Sequence, residues 1–159
     1  MSLFQTTALD TAGIDTGPVA DAVRTRANIM QATQAAEDAV MAPLYAGAFS
    51  HDLRAALAAR MAQSGGVPEL ATRYLARAGD MAPLADPASD GAAQGLAHII
   101  AFVDRAANAT RDVAASDISG LQAASVSDAD IVRLCELVAF TAYQLRVVAG
   151  LRLMKGGAA

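Results

Sequence analysis

The sequence predicts an all-α fold, a compact bundle of about six helices closed by a long apolar C-terminal helix. Three observations carry this. Alanine supplies 40 of 159 residues, and alanine loses no side-chain entropy in a helix. Aromatic residues make up 4% and tryptophan is absent, which disfavours strands. Apolar residues recur at three- and four-residue steps, and no stretch alternates as a half-buried strand does.

Residues 1–17 mix Thr, Asp and Gly with few apolar side chains and read as a mobile or draped N-terminal arm. A single helical domain is expected over 18–155, with 156–159 as a tail. Gly17-Pro18 opens the first helix, because proline at the first turn sacrifices no hydrogen bond. That helix is expected from Val19 to Met41. Val19, Val23, Ala27 and Met30 share one side, with Ile29, Ala36 and Val40 beside them. Arg24, Arg26, Gln31, Gln34, Glu37 and Asp38 form its polar face, and Pro43 stops it. Ser50 caps a second helix, His51 to about Gln63. Leu53, Leu57 and Met61 repeat every four residues there, and Arg54 and Arg60 fall off that line.

Gly65-Gly66 breaks this helix and Pro68 starts a third, ending near Gly79, with Leu70, Tyr74 and Leu75 inward. Three aspartates and two prolines make 80–90 a loop. A fourth helix over Gly91–Ala107 places Leu96, Ile99, Ile100 and Val103 on one side. A short helix follows near Ser116–Ala124. Ser127 and Asp130 form a variant capping box for the last helix, Asp128 to about Met154. This helix is apolar on nearly all sides, which places it centrally. Arg146, Arg152 and Lys155 complement its C-terminal dipole, and Gly156-Gly157 ends it.

Composition excludes several functions. The net charge is −4 and the pI about 5.0, so no basic face awaits nucleic-acid phosphates. One cysteine forbids an internal disulfide and suits the cytoplasm. No window approaches about 18 uninterrupted apolar residues, and residues 1–15 lack the basic and apolar regions of a secretory signal. No membrane or targeting role is therefore expected. The mean hydropathy of +0.32 predicts self-association as a further outlet for apolar surface.

Two segments carry a family resemblance: SHDLRAALAARMAQ at 50–63 followed by ELATRYL at 69–75, and SVSDADIVRLCELVAFTAYQLRVVAGLRLM at 125–154. Together they resemble the carboxymuconolactone decarboxylase and alkylhydroperoxidase-like superfamily, over roughly residues 20–154. The second is similar to the family's closing pattern, a short turn leading into a long apolar helix with an arginine near its end. The resemblance implies an alkylhydroperoxidase-like bundle that assembles into homodimers, trimers or hexamers. It also implies a link to oxidative-stress or oxidoreductase pathways and a related redox protein as a possible partner. Active peroxidase members carry Cys-x-x-Cys-x-x-x-His. This chain has no such motif, and Gly47 and Gln94 stand four residues before His51 and His98. No catalytic residue transfers, and a lone thiol cannot complete a two-thiol cycle.

Several further residues carry candidate chemistry. Cys135 reads first as a small buried hydrophobe, alternatively as a peroxidatic thiol, although Glu136 would raise its pKa. Ser50-His51-Asp52 cannot form a hydrolytic relay, because neighbouring helical side chains diverge by about 100°. His98 reads as a core or interface histidine, alternatively as a ligand or acid–base group. Glu136, Gln144 and Arg146 each need a partner if buried, and Arg133 at i−3 could serve Glu136. A small-molecule pocket of Tyr74, Glu136, Tyr143 and Arg146 is the alternative. No metal or cofactor is expected: two histidines and one cysteine make no zinc or iron cluster, Asp80, Asp86 and Asp90 lack calcium-loop spacing, and no phosphate loop appears.

The sequence thus leaves three functions open: a catalytically degenerate, oligomeric binding protein; an enzyme, either a one-cysteine peroxidase or a cofactorless lyase or isomerase using Cys135, His98 or Glu136; and a purely structural interaction module.

Overall fold

The computed structural model describes residues 2–156. Among these, eight α-helices follow one another: α1 (Thr7–Ala12), α2 (Gly17–Arg24), α3 (Ala27–Met41), α4 (His51–Ser64), α5 (Pro68–Leu75), α6 (Ala97–Asn108), α7 (Ala115–Ala123) and α8 (Asp128–Gly156). Short 3-10 turns at Leu3–Gln5, Gly79–Ala85, Ala92–Gln94 and Thr110–Asp112 complete the secondary structure of the described residues, which include no strand. The all-helical class is as the composition predicts. The count exceeds six for two reasons: the N-terminal segment adds a helix, and the expected Val19–Met41 helix is two.

α4 lies at the centre. Every residue from Leu53 to Ala62 is buried, so this helix is enclosed on all sides. Its alanines let α5, α6, α8 and the Gly79–Ala85 turn approach closely. Ser50 caps it, accepting the Leu53 N–H at 3.2 Å. Arg54 and Arg60, expected outside the packed line, are each only 2% exposed. Arg54 donates to the carbonyls of Phe49 (3.0 Å), Val40 (3.0 Å) and Ala46 (2.9 Å). It thereby ties the end of α3 and the following loop to α4. Arg60 holds Asp104 of α6 through both oxygens, at 2.7 and 2.6 Å. It also donates to the carbonyls of Leu84, Asp86 and Pro87. A helix of small residues leaves gaps that long planar guanidiniums fill, and each buried donor finds an acceptor.

Of the two forms expected of the N-terminal segment, mobile or draped, the packing fits the draped one, with helical structure the sequence does not announce. Leu9 is fully buried, with Ala8, Ala12 and Ile14 nearly so, and α1 packs on α8. Arg152 donates to the Thr11 carbonyl at 2.9 Å, Lys155 to that of Gly13 at 2.6 Å, and Arg73 pairs with Asp10. The break between α2 and α3 falls at Thr25-Arg26. There the Thr25 hydroxyl caps the Ala22 carbonyl at 2.7 Å and Arg26 leaves helical geometry. The break rotates the inner face. α3 buries Thr33, Glu37 and Met41, while Ile29 is exposed.

Elsewhere the boundaries shift. α5 ends at Leu75, which is exposed rather than inward. Part of the expected 80–90 loop is the Gly79–Ala85 turn, and Gly91–Leu96 precedes α6 instead of belonging to it. α8 includes Gly156; the rest of the expected 156–159 tail lies outside the described residues. α8 also has the length and hydropathy of a membrane-crossing helix, yet one side, from Ile131 to Leu151, packs on the bundle.

Asp130 anchors the start of α8. It accepts the Ala48 N–H at 3.0 Å, the Ser127 hydroxyl at 2.7 Å and Arg133 at 2.9 Å. The Ser127 hydroxyl accepts the Asp130 N–H at 3.2 Å, so the capping box closes through that hydroxyl. Gly47 makes this possible: its φ is +64°, and a Cβ there would stand 2.2 Å from the Asp130 carboxylate.

Two outcomes follow from these anchors. Arg60→Met leaves three carbonyls without their donor and Asp104, whose side chain is 38% exposed, without its partner, and should lower unfolding stability by about 1–3 kcal/mol, read by urea denaturation. Asp130 is held below its ordinary value of 3.8, chiefly by the Ala48 N–H, then by the Ser127 hydroxyl. Its stabilisation is complete above that value and is lost as pH falls through the lower, folded one. Tm measured against pH should therefore drop more steeply below that value in the wild type than in Asp130→Asn.

Candidate functional site

The structure separates the candidate residues into three places, and the anticipated Tyr74–Glu136–Tyr143–Arg146 pocket does not assemble. Tyr74 is fully buried, whereas Glu136, Tyr143 and Arg146 lie on the exposed side of α8.

The first place is a buried polar knot joining α3, α5 and α8. Gln144 Nε2 donates to Glu37 Oε2 at 2.9 Å and to Tyr74 Oη at 3.2 Å. Burial, then the Glu37 carboxylate, pushes the Tyr74 hydroxyl far above its ordinary pKa, so it stays a protonated donor. Glu37, expected on a polar face, is 2% exposed. Gln144 Oε1 has no partner among the described residues. Tyr143 closes the edge of this region through a 2.9 Å hydrogen bond between its hydroxyl and that of Thr33. The knot orients three helices. Its sequence signal is the four-residue step Thr33, Glu37, Met41, masked by the more obvious apolar positions nearby.

The second place is a groove of about 470 Å³ between α6 and α8. Phe102 and Ala106 form one wall; Cys135, Val138, Ala139, Ala142 and Arg146 form the other, with Thr110 and Val113 at one end. The volume suits a small molecule. Cys135 is exposed, not the buried hydrophobe expected. Partial desolvation, then Glu136, raises its thiol pKa, which disfavours the nucleophilic thiolate. Arg146 is the only charged residue of the lining. Neither Glu136 nor Arg146 is buried, and Arg133 pairs with Asp130 rather than with Glu136.

His98 occupies the third place, a hollow of about 230 Å³ shared with Arg105, Ser116 and Asp117. Arg105 and Asp117 pair across it at 3.4 Å. Phe102 lines both this hollow and the groove, but Cys135 and Glu136 are not among the residues around His98. The structure therefore assembles no thiol–histidine or carboxylate–histidine pair from the candidates. Among the described residues no three His, Cys, Asp or Glu side chains form a metal-holding group.

Tyr74→Phe removes one buried hydroxyl donor while keeping the ring. It should lower stability by about 1–3 kcal/mol, measured by thermal or urea unfolding, without changing helix content by circular dichroism.

Comparison with known proteins finds no matching family model, no matching curated protein and no matching solved structure.

Proposed function

We propose that this protein acts by binding rather than by thiol redox turnover: a catalytically degenerate relative of the alkylhydroperoxidase-like fold that holds a small apolar molecule between α6 and α8. The observation that carries this reading is the groove itself. Its walls are Phe102, Val138, Ala139 and Ala142, and the chain's one thiol sits in them with a raised pKa. A peroxide would be attacked by a thiolate, leaving a sulfenic acid that a second thiol must reduce. With one cysteine per chain, that return step has no internal donor. Apolar contact with a hydrophobic ligand needs neither a thiolate nor a second cysteine, and about 25 cal/mol per Å² of buried apolar area supplies the driving force.

The test has two readouts on purified protein. With a hydroperoxide and a dithiol donor, no turnover above background is expected; robust turnover abolished by Cys135→Ser overturns the reading. With the neutral apolar fluorophore N-phenyl-1-naphthylamine, saturable binding is expected. Ala142→Phe, which fills the groove, should weaken it by at least about tenfold, or 1.4 kcal/mol. Binding unaffected by this substitution would place the ligand elsewhere.

A further inference from the structure

α8 carries two stripes. One, built from Ile131, Leu134, Leu137, Val138, Thr141, Gln144, Val148 and Leu151, is buried in the bundle. The other consists of Ala129, Val132, Glu136, Ala139, Tyr143, Arg146, Gly150 and Leu153, all exposed except the half-buried Gly150, with the Tyr143 hydroxyl held by Thr33 and its ring left on the face. These positions follow the alternating three- and four-residue spacing of a coiled-coil seam. The seam is apolar where a solvated face should be polar: Val132 is 57% exposed and Leu153 77%. Its two charges, Glu136 and Arg146, form no ion pair among the described residues.

The order of residues along the seam decides what covers it. Turned end for end about the level of Thr141, the seam maps onto itself. Ala129 then meets Leu153, Val132 meets Gly150, Glu136 meets Arg146 and Ala139 meets Tyr143. Every apolar layer sets a small residue against a larger one, and the charged layer sets opposite signs together. These are the alternating seam layers of an antiparallel helix pair, in which each position of one series faces the other series. A parallel pairing in register would instead put Glu136 on Glu136, Arg146 on Arg146 and Tyr143 on Tyr143.

The geometry points to a homodimer in which α8 packs antiparallel against the partner's α8, with two Glu136–Arg146 ion pairs related by a two-fold axis at Thr141. The interface is isologous, as a two-fold axis requires. It extends over about 36 Å of helix, at 1.5 Å per residue. Arg146 and Ala139 belong to both the seam and the groove wall, so the partner helix covers the groove's open flank and neutralises its charge. The pairing rests on α8 alone and stands whether or not the groove holds a ligand.

Sedimentation velocity on the full chain tests it. The wild type should be a dimer. Arg146→Glu places like charges together twice and should weaken dimerisation by at least about tenfold; adding Glu136→Lys should restore it. Glu136 lies near Arg54, so each variant is checked for an unchanged melting curve. Leu153→Glu serves if the double variant does not fold, because its site is exposed in the protomer and its only expected effect is dissociation. Mild oxidation gives the orientation. Antiparallel packing holds the two Cys135 positions about 18 Å apart along the axis, so no disulfide-linked dimer should form. A monomer or trimer in the wild type, dimerisation indifferent to Arg146→Glu and Leu153→Glu, a Cys135–Cys135 crosslink, or flotation of the monomer with neutral phospholipid vesicles would each overturn the inference.

Discussion

The architecture depends on two guanidinium groups buried along an alanine-rich helix. Alanines allow neighbours to approach α4 but bring little volume of their own, and such a helix alone would leave its surroundings loosely defined. Arg54 and Arg60 supply both bulk and direction. One gathers three carbonyls around the α3–α4 connection, and the other joins α6 to the turns at Leu84–Pro87 through Asp104. Burial, followed by repulsion from Arg133, lowers the Arg54 pKa, yet arginine retains its charge where lysine would readily lose it. A polar scaffold thus fixes the register of an otherwise featureless apolar core.

Local signals made most elements legible. Ser50, Pro68, Ser127 and the spacing of Ile99, Ile100 and Val103 mark helices that occur close to where they are expected. The misreadings share a cause: a side chain's class does not reveal its surroundings. Thr, Asp and Gly at the N-terminus concealed a helix whose few apolar residues, Leu9 above all, are almost wholly buried. Arg54 and Arg60 fall off the apolar line and Glu37 on a polar face, yet each is buried among partners contributed from elsewhere in the chain. The Thr25-Arg26 break has no proline or glycine to announce it. The candidate site was least legible, because no periodicity tells which side of a nearly all-apolar helix meets the bundle. That choice separates Cys135 and Arg146 from Tyr74 and Gln144.

α8 consequently has two kinds of surface with different roles. The inward stripe includes Gln144, whose amide completes the knot with Glu37 and Tyr74 and resists any shift of α3 or α5 along it. The outward side bears the groove and the seam, where side chains have few commitments within the protomer. Rigidity on one side and availability on the other are what a presented recognition surface requires.

The packing of α1 against α8 also shapes how the protein is made. α1 finds its main cover in a helix more than a hundred residues later, and the clasp from Arg152 and Lys155 to Thr11 and Gly13 joins the two regions directly. During synthesis α4 and α5 can associate while the ribosome is still elongating. α1 also touches α3 and α5, so it can settle on them first, and its seat is completed when α8 has formed. Closing so long a loop carries an entropic cost, which the packing of α8 and its clasp on α1 must offset.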